Sequence, residues 1–175
     1  MKPPLANWIA AVAAVSSSAL GQSAPQLLRT QTAFDLSVNL SYSEAAPLFG
    51  PEGERTWAGK HWDPHFLYPQ TPHDEQGAVF TIQHGPFNVT WVNTLFDLEA
   101  RHFQYAYFIP DIMVTTIDVR FKPTDANTTQ VHVLYTRTAL TAGGNQHVTT
   151  LTTSDQSAAH DWQQALDAYV ASRVH

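Results

Sequence analysis

At 175 residues the chain has the length of one domain, and apolar residues make up 43% of it, with five Trp, six Tyr and nine Phe; that is enough apolar surface to build a core, which excludes a disordered chain. The formal charge is −6, with nine Lys and Arg spread along the sequence, so the clustered cations of a nucleic-acid groove or a polybasic membrane patch are excluded. Cysteine is absent, which removes disulfides, thiolate nucleophiles, thiolate zinc sites and a lipid-modified N-terminal cysteine, and leaves stability to packing.

The first residues read as a secretion signal. Lys2 supplies a positive start, Trp8 to Val15 an apolar stretch, and Ala19, Leu20 and Gly21 the small residues before a cleavage site at Gln22. The apolar stretch is broken by Ser16 to Ser18 and is too short to cross ~30 Å of hydrocarbon. Residues 1–21 are therefore expected as a signal peptide, residues 22–33 as an N-terminal extension and residues 34–172 as one domain, in a secreted or periplasmic protein with no integral membrane segment after cleavage.

Phe34, Leu36, Val38 and Leu40 alternate with polar neighbours and predict a first strand. Ser43 is placed to cap a short helix running to Phe49, with Glu44 complementing its dipole, and Gly50-Pro51 is expected to end it. From Pro51 to Pro72 the sequence is rich in Gly, Pro, Trp and charge, which predicts an irregular, partly helical lid with a brief strand at Phe66 to Tyr68. Five β-branched or aromatic runs follow: Ala78 to His84, Phe87 to Phe96, Arg101 to Ile109, Ile112 to Phe121 and Thr128 to Thr138. Their connections are too short for parallel crossovers, so they predict an antiparallel meander. After Gly143-Gly144 the spacing of Val148, Leu151, Trp162, Ala165, Leu166, Tyr169 and Val170 becomes helical. The Thr- and Ser-rich stretch from Thr149 to Ser157 competes for backbone hydrogen bonds, and allows two helices meeting near Ser154.

A long meander followed by one apolar helix buries both faces when the sheet curls around the helix, and such a grip leaves an apolar gap where small ligands bind. Period-2 counting puts Phe87, Val89, Trp91, Asn93 and Leu95 on the inward face of their strand. The same count puts Phe80, Ile82, Phe103, Tyr105, Tyr107, Val131, Val133 and Tyr135 inward on the others. The cavity candidates are Phe80, Ile82, Trp91, Phe103, Tyr105, Tyr107, His132, Tyr135, Val148, Leu151 and Trp162.

The order strand, short helical segment, six strands and C-terminal helix resembles the START/Bet v 1-like (SRPBCC) superfamily, and within it the polyketide cyclase/dehydrase-like bacterial branch. The stretches that carry the resemblance are Leu48 to Arg55, Trp62 to Pro69, Gly77 to Thr81 and Tyr135 to Leu140 leading into Gly143-Gly144-Asn145. The resemblance implies an α+β helix-grip fold: a seven-stranded curved antiparallel sheet wrapped around a long C-terminal helix, with short helical segments after strand 1 and a ligand cavity. It carries over no catalytic residue.

His61 and His65 flank Asp63 at a spacing that suits a metal on a helix, but Pro64 interrupts the spacing and no motif supplies a third ligand. His132 lies mid-strand and faces either the cavity or the surface. Glu52 and Glu54 flank Gly53 where Arg55 can pair with either, and Asp118, Arg120 and Arg137 are expected to pair across strands; an Arg turned into the cavity would instead hold a ligand carboxylate. No phosphate loop, nucleophile elbow or dinucleotide fingerprint occurs. The expectation is a binding protein for a hydrophobic small molecule (a lipid, a polyketide or an aromatic metabolite), with no cofactor, no metal and no nucleic-acid partner. The alternatives are a cyclase- or dehydratase-like enzyme using His132, Tyr105 or Tyr107 for proton transfer, and a filled module with no ligand.

Overall fold

In the computed structural model, which describes residues 25–173, the chain order is β1 (Arg29–Val38), α1 (Tyr42–Ala45), a 3-10 turn (Ala46–Phe49), α2 (Pro51–Glu54), β2 (His65–Tyr68), β3 (Val79–His84), β4 (Phe87–Asp97), β5 (His102–Ile109), β6 (Met113–Asp125), β7 (Thr128–Ala139) and α3 (Gly144–Ser172). The expected signal segment, 1–21, lies outside the described residues. The strands form one antiparallel sheet in the order β1-β7-β6-β5-β4-β3-β2, so the first strand closes on the last and β2 is the far edge. The sheet curves around α3 in a helix grip, as the alternation and the short turns predict. No helix among the described residues is long and apolar enough to cross a membrane.

Three local expectations are corrected. β1 begins at Arg29, so it takes in residues expected as extension, and it ends at Val38. Its first half, Arg29 to Ala33, has no buried side chain and so no alternation to read; backbone pairing with β7 from Arg29↔Thr138 onward holds it in the sheet. The first helix is capped by Ser41 rather than Ser43: Ser41 donates its backbone N–H (3.3 Å) and its hydroxyl (2.7 Å) to the Glu44 carboxylate. Gly50-Pro51 does not end the helical region but opens α2, with Pro51 in its first turn, where a missing N–H costs nothing.

α3 is one continuous helix. The hydroxyls of Thr149, Thr150, Thr152, Thr153 and Ser154 each donate to the carbonyl four residues back, at 2.8–3.2 Å, so the polar stretch satisfies itself without breaking the helix. The helix starts where its backbone meets the β5–β6 turn so closely that a Cβ on Gly144 would collide with the Ile112 carbonyl. From there it runs over β1 and β7 and touches β6. Its apolar stripe turns inward: Val148 and Leu166 are fully buried, and Trp162 packs edge-on against Phe34 at 5.5 Å. Burying a side chain such as Leu166 contributes roughly 1.5–3 kcal/mol.

The inner face of the sheet continues as a run of packed rings. Phe96 stacks on Phe103 (4.0 Å), Phe103 meets Phe121 (4.9 Å), Phe121 meets Phe49 (5.3 Å) and Phe49 meets Trp57 (5.9 Å). Trp57 then meets Trp162 at 5.3 Å, tying the short helices to α3.

Candidate functional site

A cleft of about 790 Å³ lies between α3 and the β3–β5 side of the concave face. The sheet presents Trp91, Tyr107 and Tyr135, the helix presents Leu151, Ala158 and Trp162, and the segment after α2 presents Trp57 and Trp62. At its deep end an inner chamber of about 30 Å³ is bounded by Glu54, Trp62, Trp91, Tyr105, Ile117, Val119, Tyr135 and Trp162. That is room for a few heavy atoms, since one water needs ~10–15 Å³ on this measure.

The segment from α1 to β2 places its tryptophans by their polar ends. Trp57 Nε1 donates to the Leu48 carbonyl (2.7 Å) and Trp62 Nε1 to the Pro51 carbonyl (2.9 Å), which leaves the apolar ring bodies to wall the cavity. α2 itself is pinned by Asp74, whose carboxylate accepts the backbone N–H groups of Glu52 (2.9 Å) and Gly53 (3.3 Å). Gly53 is needed for close approach, because a Cβ there would collide with the Pro47 carbonyl. This anchoring directs Glu54 inward.

Glu54 is 8% exposed and borders both the chamber and the cleft. Arg55, beside it, turns away to Glu52 (2.8 Å), Asp63 and the Pro64 carbonyl. Among the described residues no hydrogen bond or ion pair reaches the Glu54 carboxyl. Burial pushes that carboxyl well above the ordinary carboxylate range, and the nearby charge of Asp74 adds to the rise. Burial pushes Tyr105 and Tyr135 up as well, with Glu54 the next cause for each. The Tyr105 hydroxyl donates to the Phe49 carbonyl. At the cleft mouth His84 is pushed below the usual histidine range by burial and then by His61.

A raised pKa in the folded state means that folding favours the protonated acid. The stabilisation from Glu54 is therefore complete below the pKa of an unfolded glutamate, ~4.3, and is lost as pH rises through the higher folded value. Glu54→Gln is expected to remove this slope: wild-type stability relative to the variant falls above pH ~4.3 by up to about 1.4 kcal/mol per pH unit until Glu54 ionises. Urea unfolding of both proteins across a pH series checks it, and parallel curves would contradict the burial of this carboxyl.

One more pair was not legible as such. Arg137 of β7 and Asp155 of α3 are both buried and joined by two hydrogen bonds, Nη1 to Oδ2 and Nη2 to Oδ1 (3.0 Å). The Arg137 guanidinium also lies 4.6 Å over the Tyr135 ring. Burial pushes Asp155 up, more than Arg137 pulls it down. Arg137 thus pairs from sheet to helix and not across strands. Asp118 does pair across strands, with His102 (2.6 Å), and along its own strand with Arg120 (2.9 Å).

Of the cavity candidates, Trp91, Tyr105, Tyr107, Tyr135, Leu151 and Trp162 border the cleft or its chamber. Phe80, Ile82, Phe103 and Val148 are fully buried and border neither space; Phe80 stacks beside Trp91, its cross-strand neighbour, at 5.9 Å. His132 is corrected: its side chain is 46% exposed on the outer face and bonds Asp35 at 2.8 Å. Alternation accounts for this, since Val131 and Val133 on either side of it point inward. His61 borders the cleft mouth and His65 pairs with Asp63 (3.2 Å). Among the described residues no group of three or more metal-ligating side chains forms. Glu54, considered from the sequence as a partner for Arg55, is instead a site residue, since Arg55 pairs with Glu52; Pro51 in the first turn of α2, with Glu54 one turn later on the same side, was the available signal.

No protein-family model matches the sequence, and no curated protein matches it. Solved structures do. Norcoclaurine synthase from Thalictrum flavum, in complex with dopamine and hydroxybenzaldehyde, superposes with a TM-score of 0.61 at 13% identity, over 83% of this chain and 88% of that one. The protein XoxI from Bacillus cereus gives 0.59 at 16% identity, over 83% and 99%. The di-domain ARO/CYC BexL from the BE-7585A biosynthetic pathway gives 0.58 at 15% identity over 79% of this chain, which spans about half of BexL at 46%. At these identities the shared property is the fold: a curved seven-stranded antiparallel sheet gripping a C-terminal helix, the architecture that the resemblance in the sequence implies.

Proposed function

We propose that the protein binds a hydrophobic small molecule with an aromatic body in the cleft between α3 and the sheet, as a secreted or periplasmic carrier or sensor without catalysis. The observation that carries this reading is the cleft itself: about 790 Å³, within the ~300–1,000 Å³ of small-molecule pockets and too large for a filled module. Four tryptophans and two tyrosines give its walls aromatic faces, which favour flat apolar ligands, and polar groups such as Gln83, Arg137 and Asp161 share the lining. The folds of norcoclaurine synthase and BexL, named for work on small organic molecules, fit the same use. Secretion rests on the Lys2 to Gly21 pattern. The reading without catalysis is supported by the placement of two of the three side chains named for proton transfer: His132 is on the outer face and the Tyr105 hydroxyl donates to the Phe49 carbonyl, while Tyr107 borders the cleft.

Titration with the apolar dye N-phenyl-1-naphthylamine is expected to give saturable fluorescence enhancement with one site per chain. Leu151→Trp, which fills the cleft from α3, is expected to weaken it at least tenfold with far-UV circular dichroism unchanged. Unsaturable binding, or equal binding by the variant, would sink the reading. Native mass spectrometry of the purified protein then identifies any small molecule it retains.

A further inference from the structure

The inner chamber is an aromatic box with a single acid in its wall. Glu54 is more than nine-tenths buried, borders the chamber and finds no partner among the described residues. A buried carboxyl is ordinarily paired or hydrogen-bonded, so an unpartnered one aimed into a cavity marks the place where a ligand's polar group sits. The charged neighbours decide its sign. Asp74 is the charged group acting on Glu54, and it is another carboxylate. The cations close in sequence or space are committed elsewhere: Arg55 to Glu52, Asp63 and Pro64, and Arg137 to Asp155. His84 is held toward its neutral form at the cleft mouth. With Glu54 ionised the chamber is electronegative, and aromatic rings are the apolar wall that attracts rather than repels a cation.

We propose that the chamber takes the ammonium head of an aromatic amine, with Glu54 as counter-ion and the ligand's ring lying in the outer cleft. This rests on the ligand-binding reading above and narrows its ligand class. The chamber's size admits a primary ammonium and its adjoining carbon, and excludes a ring. In the complex the amine holds its proton and Glu54 stands as the carboxylate, any proton it carried beforehand passing to solvent, and the ion pair is closed off by Trp62, Trp162 and Tyr135.

The test is displacement of N-phenyl-1-naphthylamine by four probes sharing one ring: phenethylamine, its neutral isostere n-propylbenzene, 4-phenyl-2-butanone and 3-phenylpropanoate. Phenethylamine is expected to bind at least tenfold more tightly than n-propylbenzene, and Glu54→Gln and Glu54→Leu are expected to abolish that preference, read as the ratio of the two displacement constants so that any change in dye affinity cancels. Calorimetry across a pH series, in buffers of different ionisation enthalpy, is expected to show a proton release linked to amine binding by the wild type that Glu54→Gln lacks. An amine that binds no better than n-propylbenzene, or a preference that survives in both variants, overturns the ammonium assignment and leaves the apolar cleft standing. Tighter binding of the ketone overturns it too, and makes Glu54 a hydrogen-bond donor to a neutral oxygen; tighter binding of the carboxylate contradicts the sign of the chamber. If no probe displaces the dye, and the dye itself does not saturate, both readings fall together.

Discussion

Asp155→Ala is expected to lower the unfolding free energy by about 3–5 kcal/mol, read from urea midpoints at pH 7 with an unchanged denaturant slope. Arg137 and Asp155 expose only 6% and 8% of their side chains, so removal of the acid strands a guanidinium whose Nε already lacks a partner among the described residues. The loss measures the stranded charge and not the worth of the pair. Burial pushes the Asp155 carboxyl up against the pull of Arg137, so desolvation of the two charges opposes their attraction. The double variant Arg137→Leu/Asp155→Leu is therefore expected to recover most of the loss, and to match or exceed the wild type. If the single variant lost less than ~1 kcal/mol, the pair would be solvated, as exposed ion pairs are. The bidentate geometry joins β7 to α3 beside the cleft, so the pair's role is to fix how the helix lies across the sheet; the expected accompaniment of Asp155→Ala is weaker dye binding even where the fold persists.

The sheet was legible where one face is buried and the other wet. Val89, Trp91 and Asn93 alternate inward along β4 as counted, and the hairpin turns set their neighbours' direction. Alternation stops being informative at irregularities. A register shift between Asn93 and Leu95 turns Phe96 against Phe103, although strict counting assigns Phe96 to the opposite face from Trp91. In β7 the residues Tyr135, Thr136 and Arg137 are buried in succession, so period 2 fades where α3 and β1 cover the strand. The site was half legible for a related reason. Inward-facing aromatics follow from strand period, but which of them border empty space depends on how α3 lies, and that depends on contacts such as Arg137 to Asp155 that no local pattern encodes. Glu54 reads in the sequence as one of two carboxylates around Arg55 in a solvated turn, whereas Arg55 takes Glu52 in a partly exposed ion pair and leaves Glu54 to the interior. Its burial comes from Asp74, more than a turn of chain away in another loop, holding the first turn of α2 against the sheet.

Phe49→Ala is expected to cost about 3–5 kcal/mol and, unlike a substitution elsewhere in the core, to disable the inner chamber as well. Phe49 is almost completely buried at the end of the 3-10 turn, with Phe121 edge-on at 5.3 Å and Trp57 tilted at 5.9 Å. Truncation loses the transfer energy of the ring and opens a cavity, because Phe121 is held by Phe103 and Trp57 by its bond to Leu48. Its backbone matters as much as its ring. The Phe49 carbonyl accepts the Tyr105 hydroxyl, and Gly50 immediately after it begins α2, which presents Glu54. Any collapse of the turn into the vacated space moves α2 relative to Tyr105 and detaches the acid from its aromatic box. Phe49→Leu keeps most of the volume and is expected to lose less stability and to keep the amine preference. Chemical unfolding combined with probe displacement separates the two effects: a Phe49→Ala protein that is destabilised but still discriminates phenethylamine from n-propylbenzene would show that α2 is held by Asp74 alone. The expected result, loss of both, makes the packing of one phenylalanine the link between the core of the sheet and the chemistry of the chamber.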